Sequence, residues 1–589
     1  MADPNPAPNE QSTLTNSVIL PDDYYLSNFR FLLEFVESRY QDLLTDNEKA
    51  YISDFDSVDE SAQRLYVRLV LRKGPLFRHD KLSYREIADI GLAARQLEKA
   101  GLLAIITAGE STFAARKSTP VYEGEQSESI RDAIAELLAL LTKPELISLL
   151  KVFLEFDTPP GQSNKPELLE VGVAHLSLEN VHSALPFSVY QPLGTEFLEL
   201  LKLLFFGNMY QDFTEFVLND LGVTPFEDYL MDKDTRFFTR REIIDDTVQL
   251  YQLNELSHLA IENNDLEALL QIADMAILID EDSLRRRRDK IVNRIARQLE
   301  RLDQHHDALR LFSLSAIAPA RERQARIYHS IFENVDEALV LCNRIISAPE
   351  DEAEYEFAVK FGQRILKKNK LPLPATFPTL EPVAPSLRNL ELDFNPEHRV
   401  EEATRRWYES RGHRAVYVEN ALFTGIFGLA FWDIVFTPLK GAFFNPFQRG
   451  PVDLFTSHFR VKREALIAAR LLAIEDSAIL RRQVLNTFEE KRYIANFLVN
   501  WQVIDQPLLE LALDRIPAEH LLTVFERLLT DLRANRSGLP DLIVFPDSGG
   551  YQLVEVKGPG DKLQANQNRW IRHFERGSLP VEVVNVQWS

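Results

Sequence analysis

Two carboxylates and an amine, Asp541, Glu555 and Lys557, accompany two short apolar stretches near the end of the chain. The stretches LIVF and YQLVEVK each have the length of a strand, and the turn sequence PDSGG joins them. Because side chains alternate along a strand, Glu555 and Lys557 share one face and the neighbouring valines occupy the other. Asp541 begins the first stretch and comes beside them if the two stretches pair as a hairpin. Such carboxylates suit a hard cation such as Mg²⁺ or Mn²⁺, and the amine suits a phosphate oxygen or an attacking water.

A Glu-Val-Lys triplet on a strand is most often a solvated face with an ordinary ion pair. Here both stretches are too apolar for edge strands, and three charges on a buried hairpin are costly unless a metal or a substrate satisfies them. After a Gly-Pro-Gly turn, Asp561 is placed to cap a helix, with Gln564 at the capping-box position. That helix carries Gln567 as a polar residue on an otherwise apolar face.

This order of motifs resembles the core of the PD-(D/E)xK nucleases, in the variety called the VRR-NUC domain. The string GLPDLIVF, followed by YQLVEVKGPGDKLQANQNRWI, is similar to the Fanconi-associated nuclease family in particular. The resemblance implies an α/β core in which Lys557 orients the attacking water and Gln567 steadies the site. The ligands that it implies for Mg²⁺ or Mn²⁺ are Asp541, Glu555, the backbone carbonyl of Val556 and, at a second ion, Asp561.

The family places a further metal-binding Glu in the first core helix, just before an Ala-Arg-Leu string. Ala468 stands at that position here, and the nearest acid is Glu464, about one helical turn earlier. We therefore expect Glu464 or water to complete the second metal site. Family members also show a Glu that matches Glu419, followed by Trp-Asp at 432–433. An acid in such apolar surroundings is more often paired structurally than catalytic, so Glu419 is not predicted as a ligand.

The resemblance implies a 5′ flap endonuclease with 5′-to-3′ exonuclease activity, used in the repair of interstrand crosslinks. One alternative is a non-catalytic DNA-binding scaffold with a degenerate core, which only Ala468 favours. A second alternative is a Holliday-junction resolvase, which uses the same core chemistry. Small resolvases, however, have no use for the long region that precedes this core.

Composition limits these hypotheses further. The 589 residues suggest several domains, and 45% hydrophobic with 26% charged residues is typical of a soluble globular protein. The net charge of -23 argues against loose, charge-driven binding to DNA, so positive charge must be concentrated locally. The single cysteine, Cys342, excludes the zinc-dependent ubiquitin-binding finger of eukaryotic family members. We therefore expect a bacterial member in the cytoplasm, associated with the nucleoid, and the sequence has no apolar run long enough to span a membrane.

The predicted fold is multidomain and mainly α-helical. Two short helices that each open with Lys-Pro-Glu-Leu resemble a SAP-type DNA-binding module, and a later series of helices has the character of tetratricopeptide repeats. The predicted regions are a disordered tail at 1–15, a helical DNA-binding region at 16–135, a SAP-like module at 136–194, a TPR-like helical solenoid at 195–370, a proline-rich linker at 371–395, and an α/β nuclease region at 396–589 whose VRR-NUC core begins near 455.

One segment of the solenoid reverses the acidic character of the chain. Residues 285–301 hold eight basic residues against two acidic ones. A solvated helix face is one interpretation. The other is a phosphate clamp, in which Asp282 or Ser283 caps the helix and its first-turn arginines join the positive end of the helix dipole. The resemblance favours the clamp, because the family grips the terminal 5′ phosphate in this region. The candidate phosphate contacts are Arg285, Arg286, Arg287, Arg288 and Lys290, then Arg321, Arg323 and Arg326 of a following helix, and Arg64, Arg68, Arg72, Lys73 and Arg78 of the N-terminal region.

Overall fold

The computed structural model describes residues 23–107, 125–155, 163–211, 213, 216, 224–374, 377–380 and 385–589. The predicted tail at 1–15 lies outside these residues. The chain divides into two compact units, Met1–Val223 and Thr224–Ser589. Among the described residues, no helix combines the length and the apolar composition needed to cross a membrane.

The first unit is helical around a small antiparallel sheet of strand order β1-β3-β2. The strands are β1 (Phe77–Arg78), β2 (Leu103–Ile106) and β3 (Val189–Pro192). Its helices include α1 (Tyr24–Tyr40), α2 (Asp46–Ser57), α3 (Glu60–Val70), α4 (Ile90–Lys99), α5 (Glu125–Ala139), α6 (Lys143–Phe153), α7 (Lys165–His175), α8 (Leu178–Ala184) and α9 (Thr195–Phe206).

The two helices predicted for the SAP-like module are present as α6 and α7. Each has a proline in its first turn, where the missing N–H costs no hydrogen bond. Glu145 accepts from the backbone N–H of Thr142, and Glu167 accepts from that of Asn164. These reciprocal caps explain why both helices begin where the Lys-Pro-Glu-Leu sequences do.

Most arginines of the first unit that we predicted to face phosphate are committed to ion pairs. Arg64 and Arg68 pair with carboxylates of the same unit. Arg78 is only 8% exposed between Asp80 and Glu145. Nearby acids thus compensate the charge of these three arginines, and phosphate binding by them stays a prediction.

Arg72 and Lys73 have a different environment from those three arginines. Both are exposed just beyond the end of α3. Arg72 donates a hydrogen bond to the hydroxyl of Tyr84 at 3.0 Å. Because this hydroxyl is neutral, the contact does not compensate the charge of Arg72. Phosphate binding by this pair stays a prediction.

The second unit begins with a series of helices joined by short connections, as expected for a solenoid. Buried apolar side chains of neighbouring helices form its core, with Cys342 and Ile345 at the centre of one cluster. Helix α9, which we predicted as the first solenoid helix, belongs to the first unit instead. The solenoid helices are α10 (Arg241–Glu262), α11 (Leu266–Ile277), α12 (Arg285–Arg301), α13 (His305–Leu314), α14 (Ala320–Ser330), α15 (Val335–Ser347) and α16 (Glu352–Lys368).

A five-stranded mixed sheet of order β4-β8-β7-β6-β5 forms the centre of the predicted nuclease region. The strands are β4 (Ser386–Leu392), β5 (Arg414–Tyr417), β6 (Leu542–Phe545), β7 (Gln552–Lys557) and β8 (Val581–Trp588). β8 runs parallel to both β4 and β7, whereas β6 runs antiparallel to β5 and β7.

The predicted proline-rich linker is wrong in part, because it contains strand β4. Residues 386–392 lie inside the range 371–395, yet they pair residue for residue with 582–588. The strand segment SLRNLEL directly follows the proline run, and only its last three residues alternate between apolar and polar, so its pattern is a weak strand signal. β4 and β5 both precede residue 455, so two strands of the sheet come from outside the predicted VRR-NUC core.

The two faces of this sheet pack against different helices. One face, with Val554 and Val556, packs on Tyr408 of the helix that precedes β5. The opposite face, with Ile543 and Leu553, belongs to the larger apolar core of the unit. The helices of this region are α17 (Val400–Glu409), α18 (Ala421–Ala430), α19 (Trp432–Val435), α20 (His458–Lys462), α21 (Glu464–Ala473), α22 (Ser477–Glu490), α23 (Gln506–Arg515), α24 (Ala518–Thr530), α25 (Leu532–Asn535) and α26 (Ala565–Arg576).

Candidate active site

The predicted hairpin is the pairing of β6 with β7. Leu542 lies opposite Val554, so the next position toward the open end sets Asp541 across from Glu555. The turn contains Gly549 and Gly550 with φ of 102° and 75°, values that suit glycine because it has no Cβ. The turn therefore fixes a register that places the two acids side by side.

Asp541 is held by backbone contacts on both of its sides. Its Oδ2 accepts from the N–H of Val556 at 2.8 Å. Its main-chain carbonyl accepts from the N–H groups of Val418 and Glu419, each at 2.9 Å. Burial, with a further contribution from the negative charge of Glu401, raises the pKa of Asp541 to about 6. The carboxylate is thus fixed in position while its charge is incompletely compensated.

Glu555 is the most buried acid of the site, with 1% of the residue exposed. Its Oε1 accepts from Nε2 of Gln567 at 2.6 Å and from Nζ of Lys557 at 2.8 Å. Burial, followed by the negative charge of Asp541, raises the pKa of Glu555 to about 8. One ammonium group is therefore too little to offset the desolvation of two adjacent carboxylates.

Gln567 joins Glu555 and Lys557 into one unit. While its amide nitrogen donates to Glu555, its Oε1 accepts from Nζ of Lys557 at 3.0 Å and from the N–H of Gln564 at 2.9 Å. Helix α26 supplies this residue in its first turn, and Gln564 is the N-cap. Both functional side chains of the strand are therefore locked by the start of the following helix.

Asp561 does not cap that helix, contrary to the prediction. Its Oδ2 accepts from the N–H of Gly558 at 3.1 Å and so closes the turn that leads away from β7. The cap moves three residues later because the tight turn uses the Asp561 side chain first. A role for Asp561 at a second ion stays a prediction.

Glu419 is the site residue that sequence reasoning set aside. The hydroxyl of Tyr417 donates to its Oε2 at 2.6 Å, and its charge contributes to the raised pKa values of Asp541 and Glu555. Its φ of 33° is a strained conformation for a residue with a side chain. The signal available in the sequence was the position of Glu419 between the end of β5 and an apolar helix. A residue at the end of β5 comes close to β6, the strand that pairs with it.

Glu464, in contrast, is not brought to this group. It is the exposed first residue of α21, and the structure records no contact between it and Asp541 or Glu555. Ala468 is also exposed on the same helix. The acid that the fold adds to the pair is Glu419, so the expectation that Glu464 replaces the missing helix carboxylate has no structural support.

The donor set fits a hard divalent cation. Carboxylate oxygens of Asp541 and Glu555 converge, and their raised pKa values show that the pair lacks sufficient positive charge. Over the part of the chain that the structure describes, no cluster of three or more His, Cys, Asp or Glu side chains is ready to hold an ion. The protein would therefore supply a few oxygens, and water, backbone or substrate phosphate would supply the rest, which is the usual mode of Mg²⁺ binding.

Comparison with known proteins agrees with this site. The family model of the VRR-NUC domain matches residues 476–588, and that of the FAN1, HTH domain matches residues 23–104. A Fanconi-associated nuclease 1 homolog from Pseudomonas aeruginosa is 36% identical over 97% of each chain. The chain belongs to the Fanconi-associated nuclease family. Its members are DNA nucleases, and a nuclease with a VRR-NUC domain depends on a divalent metal ion.

Longer relatives and solved structures extend the match. Human Fanconi-associated nuclease 1 is 26% identical over 96% of this chain, which spans 62% of the human protein. The crystal structure of paFAN1 bound to 2-nt 5′ flap DNA with a gap superposes with a TM-score of 0.80 at 34% identity, covering 97% of this chain and 99% of that one. These matches confirm the predicted family and the predicted fold class of a mainly helical chain with a C-terminal nuclease domain.

The arginines that open α12 in this Fanconi-associated nuclease contact protein groups. Arg285 pairs with Asp282, and Arg288 pairs with Asp289. Arg287 stacks over the ring of Tyr251 at 4.1 Å. The N-cap is a leucine without a side-chain cap, so the predicted cap by Asp282 or Ser283 is wrong: Asp282 binds the arginine instead.

The basic side chains farther along α12 line a cavity of about 470 Å³. Lys290, Arg294, Arg297 and Arg301 recur every three or four residues, so they lie on one face of the helix. The apolar segment 317–319 also lines this cavity, together with His258 and Ile261. Burial, followed by the positive charges of Arg286 and Arg533, lowers the pKa of Lys290, although its side chain stays open to solvent. We call this group of basic side chains and its cavity the basic pocket.

The arginines of α14 do not line the basic pocket. Arg321 pairs with Glu354, and Arg323 pairs with Glu300. Arg326 stacks over Phe357 and Phe361. These side chains stabilise helix packing, and the structure gives no contact by which they complete a phosphate site.

Proposed function

We propose that this protein is a structure-specific DNA nuclease that cuts near 5′ flaps, with 5′-to-3′ exonuclease activity, and that it uses Mg²⁺ or Mn²⁺. The single observation that carries the proposal is the pair Asp541 and Glu555, joined to Lys557 through Gln567. Support for the substrate comes from paFAN1, whose solved structures contain 2-nt and 1-nt 5′ flap DNA with a gap.

The residues of the site divide the chemistry of phosphodiester hydrolysis between them. A bound divalent ion supplies polarisation of the scissile phosphate and an activated water. Asp541, Glu555 and the carbonyl of Val556 would hold that ion, and Glu419 is placed to assist. Lys557 orients the attacking water and offsets charge that develops in the transition state. Gln567 hydrogen-bonds to both Lys557 and Glu555 and so keeps the two side chains in fixed relative positions.

The reference point for cutting, we infer, is a terminal 5′ phosphate in the basic pocket. Lys290 and Arg294 line that pocket, and Arg533 of the nuclease region contributes its charge to the same place. A terminal phosphomonoester carries more charge than an internal diester, so a cluster of cations favours the end of a strand. This arrangement supports recognition of DNA by the geometry of its ends rather than by base sequence.

The biological role that best fits these properties is DNA repair, including the unhooking of interstrand crosslinks. The bacterial homolog supports action on chromosomal DNA in the cytoplasm. A Holliday-junction resolvase is disfavoured. The long solenoid and the basic pocket suit a DNA end, and a symmetric junction does not present such an end.

Cleavage of an end-labelled 5′ flap, with matched intact duplex and four-way junction as controls, tests the proposal. We expect cutting of the flap in Mg²⁺ or Mn²⁺ and none in a chelator. Cutting of the junction alone would favour a resolvase. Binding without any metal-dependent cutting would favour the non-catalytic scaffold.

A further inference from the structure

Helix α16, the last helix of the solenoid, carries buried carboxylates on two sides. Glu352 and Glu356 are one helical turn apart and share a face. Glu354 lies between them in sequence and faces the other way, where it pairs with Arg321 in the first turn of α14. Arg321 lies two residues beyond the segment 317–319 that lines the basic pocket. One side of α16 therefore holds the wall of that pocket in place.

The other side of α16 is bound to the nuclease region. Glu356, whose side chain is 8% exposed, accepts from Nη1 of Arg572 at 3.3 Å and lies 3.5 Å from Nε of Arg569. Glu352 accepts from Nη2 of Arg527 at 2.7 Å. We call these five side chains the charged seam.

Both arginines that contact Glu356 belong to α26, the helix that supplies Gln567. Arg569 follows Gln567 by two residues, and the indole of Trp570 donates to the carbonyls of Asn535 and Ser537, a few residues before Asp541. The charged seam thus contacts α26 at Arg569 and Arg572, shortly after Gln567, which holds Glu555 and Lys557.

The charged seam fixes the placement of two helices more than it adds stability. The side chains of Glu356, Arg569 and Arg572 are 8%, 16% and 15% exposed, so they pair largely away from solvent. Buried ion pairs are often no more stabilising than apolar residues of the same volume, but they fix the relative placement of the elements that they join. The charged seam therefore acts chiefly on the position of α26 relative to α16.

We propose that Glu356 is a positioning residue that locks α26 to α16, and so fixes the distance between the basic pocket and the scissile phosphate. The part of this proposal that concerns cutting distance rests on the proposed function. With Glu356 neutral, Arg569 and Arg572 lose their shared counter-charge and repel each other three residues apart on one helix. Gln567 then loses its fixed place between Glu555 and Lys557.

The test compares Glu356→Gln, Glu356→Asp and the reversed triple variant Glu356→Arg, Arg569→Glu, Arg572→Glu in the full chain. Glu356→Gln should lower kcat on a phosphorylated flap by about tenfold, or about 1.4 kcal/mol, with KM unchanged. It should also spread a single cut position over neighbouring nucleotides. Glu356→Asp and the reversed triple variant should restore part of both properties, because they restore the opposite charges.

A matched control is Glu582→Gln. Glu582 is also buried and accepts from Arg388 at 2.9 Å, but it pairs on the face of the sheet away from the site. Its loss should lower thermal stability without moving the cut position. An equal spread of cut positions in this control would overturn the proposal, since general loosening would then explain the effect.

Hydrogen exchange provides a readout that does not depend on cleavage. Exchange of backbone amides in 552–557 and 565–576 should accelerate in Glu356→Gln and stay at the wild-type rate in Glu582→Gln. Unchanged exchange at 565–576 would overturn the positioning role even if cutting falls. If exchange accelerates but the wild-type protein cuts no flap, the proposed function fails while the lock between the two helices stands.

Discussion

Asp541 and Glu555 lie across from each other at the open end of one hairpin, and the negative charge of Asp541 contributes to the raised pKa of Glu555. Lys557 is the one cation in direct contact with this pair among the described residues. The apolar packing of the two strands thus holds two carboxylates side by side although they repel each other. Such an arrangement is typical of a site that binds a cation.

Removal of either carboxylate should abolish cleavage without abolishing DNA binding. We expect Asp541→Asn and Glu555→Gln to lower the single-turnover rate by about 10³-fold, close to 4 kcal/mol of transition-state stabilisation. Flap affinity in a chelator should stay within a small factor, because the phosphate contacts lie elsewhere. Asp547→Asn, in the exposed hairpin turn, is the matched control. Near-normal cutting in either site variant would contradict the assignment.

Metal affinity should rise with pH. In the metal-free protein the pKa is about 6 for Asp541 and about 8 for Glu555, so at neutral pH an ion must displace a proton. We expect calorimetry with Mn²⁺ to show tighter binding at pH 8 than at pH 6. Buffers of different ionisation enthalpy should reveal proton release. Binding that is independent of pH would show that these carboxylates are not the ligands.

The raised pKa of Glu555 also contributes to the way in which the stability of the metal-free protein depends on pH. An unfolded Glu ionises near pH 4.3, about four units below the folded Glu555, so across that window the folded state binds more protons. The contribution of Glu555 to the free energy of unfolding should therefore fall as pH rises from about 4 to 8. Glu555→Gln should flatten this slope in thermal melts. An unchanged slope would mean that Glu555 is not protonated in the folded protein.

The site was predictable to the extent that it is local. Asp541, Glu555, Lys557 and Gln567 fall within 27 residues, and strand alternation with one turn is enough to bring them together. Glu419 was not predictable, because only the pairing of β5 with β6 carries it to Asp541 across about 120 residues of chain.

The basic pocket shows the same limit. Sequence indicated a basic helix and included Lys290, but it could not show that acids adjacent in sequence would pair with Arg285 and Arg288. Nor could it show that Arg533, some 240 residues later, would bring its charge to Lys290. Local charge counts therefore identified the helix, whereas tertiary contacts decide which of its cations remain for a ligand.

Glu419 and Glu464 can be separated by one substitution each. Glu419 adjoins Asp541 through the backbone, whereas Glu464 is exposed at the start of α21. We expect Glu419→Gln to lower the cleavage rate by at least about tenfold, and Glu464→Gln to stay within a factor of about two. Rates on a labelled flap at saturating Mg²⁺ make the comparison. A large loss at Glu464 with none at Glu419 would restore the expectation drawn from sequence.

The basic pocket should determine where the enzyme cuts. Wild-type protein should cut 5′-phosphorylated flaps at a fixed short distance from the end and cut 5′-hydroxyl flaps more slowly. Lys290→Glu and Arg533→Glu should erase a preference of about tenfold, or about 1.4 kcal/mol, because the phosphomonoester loses the cations that favour its extra charge. Arg285→Glu should keep the preference, since Arg285 already pairs with Asp282.

The decisive measurement is the ratio of rates on the two kinds of end for these proteins. Metal-dependent cutting of a substrate with a blocked 5′ end should be similar in all of them, because the pocket acts on position and not on hydrolysis itself. Equal rates on phosphate and hydroxyl ends in the wild type would mean that the pocket does not read the 5′ terminus. A preference that survives Lys290→Glu but disappears in Arg285→Glu would return the phosphate site to the start of α12, where the sequence first placed it.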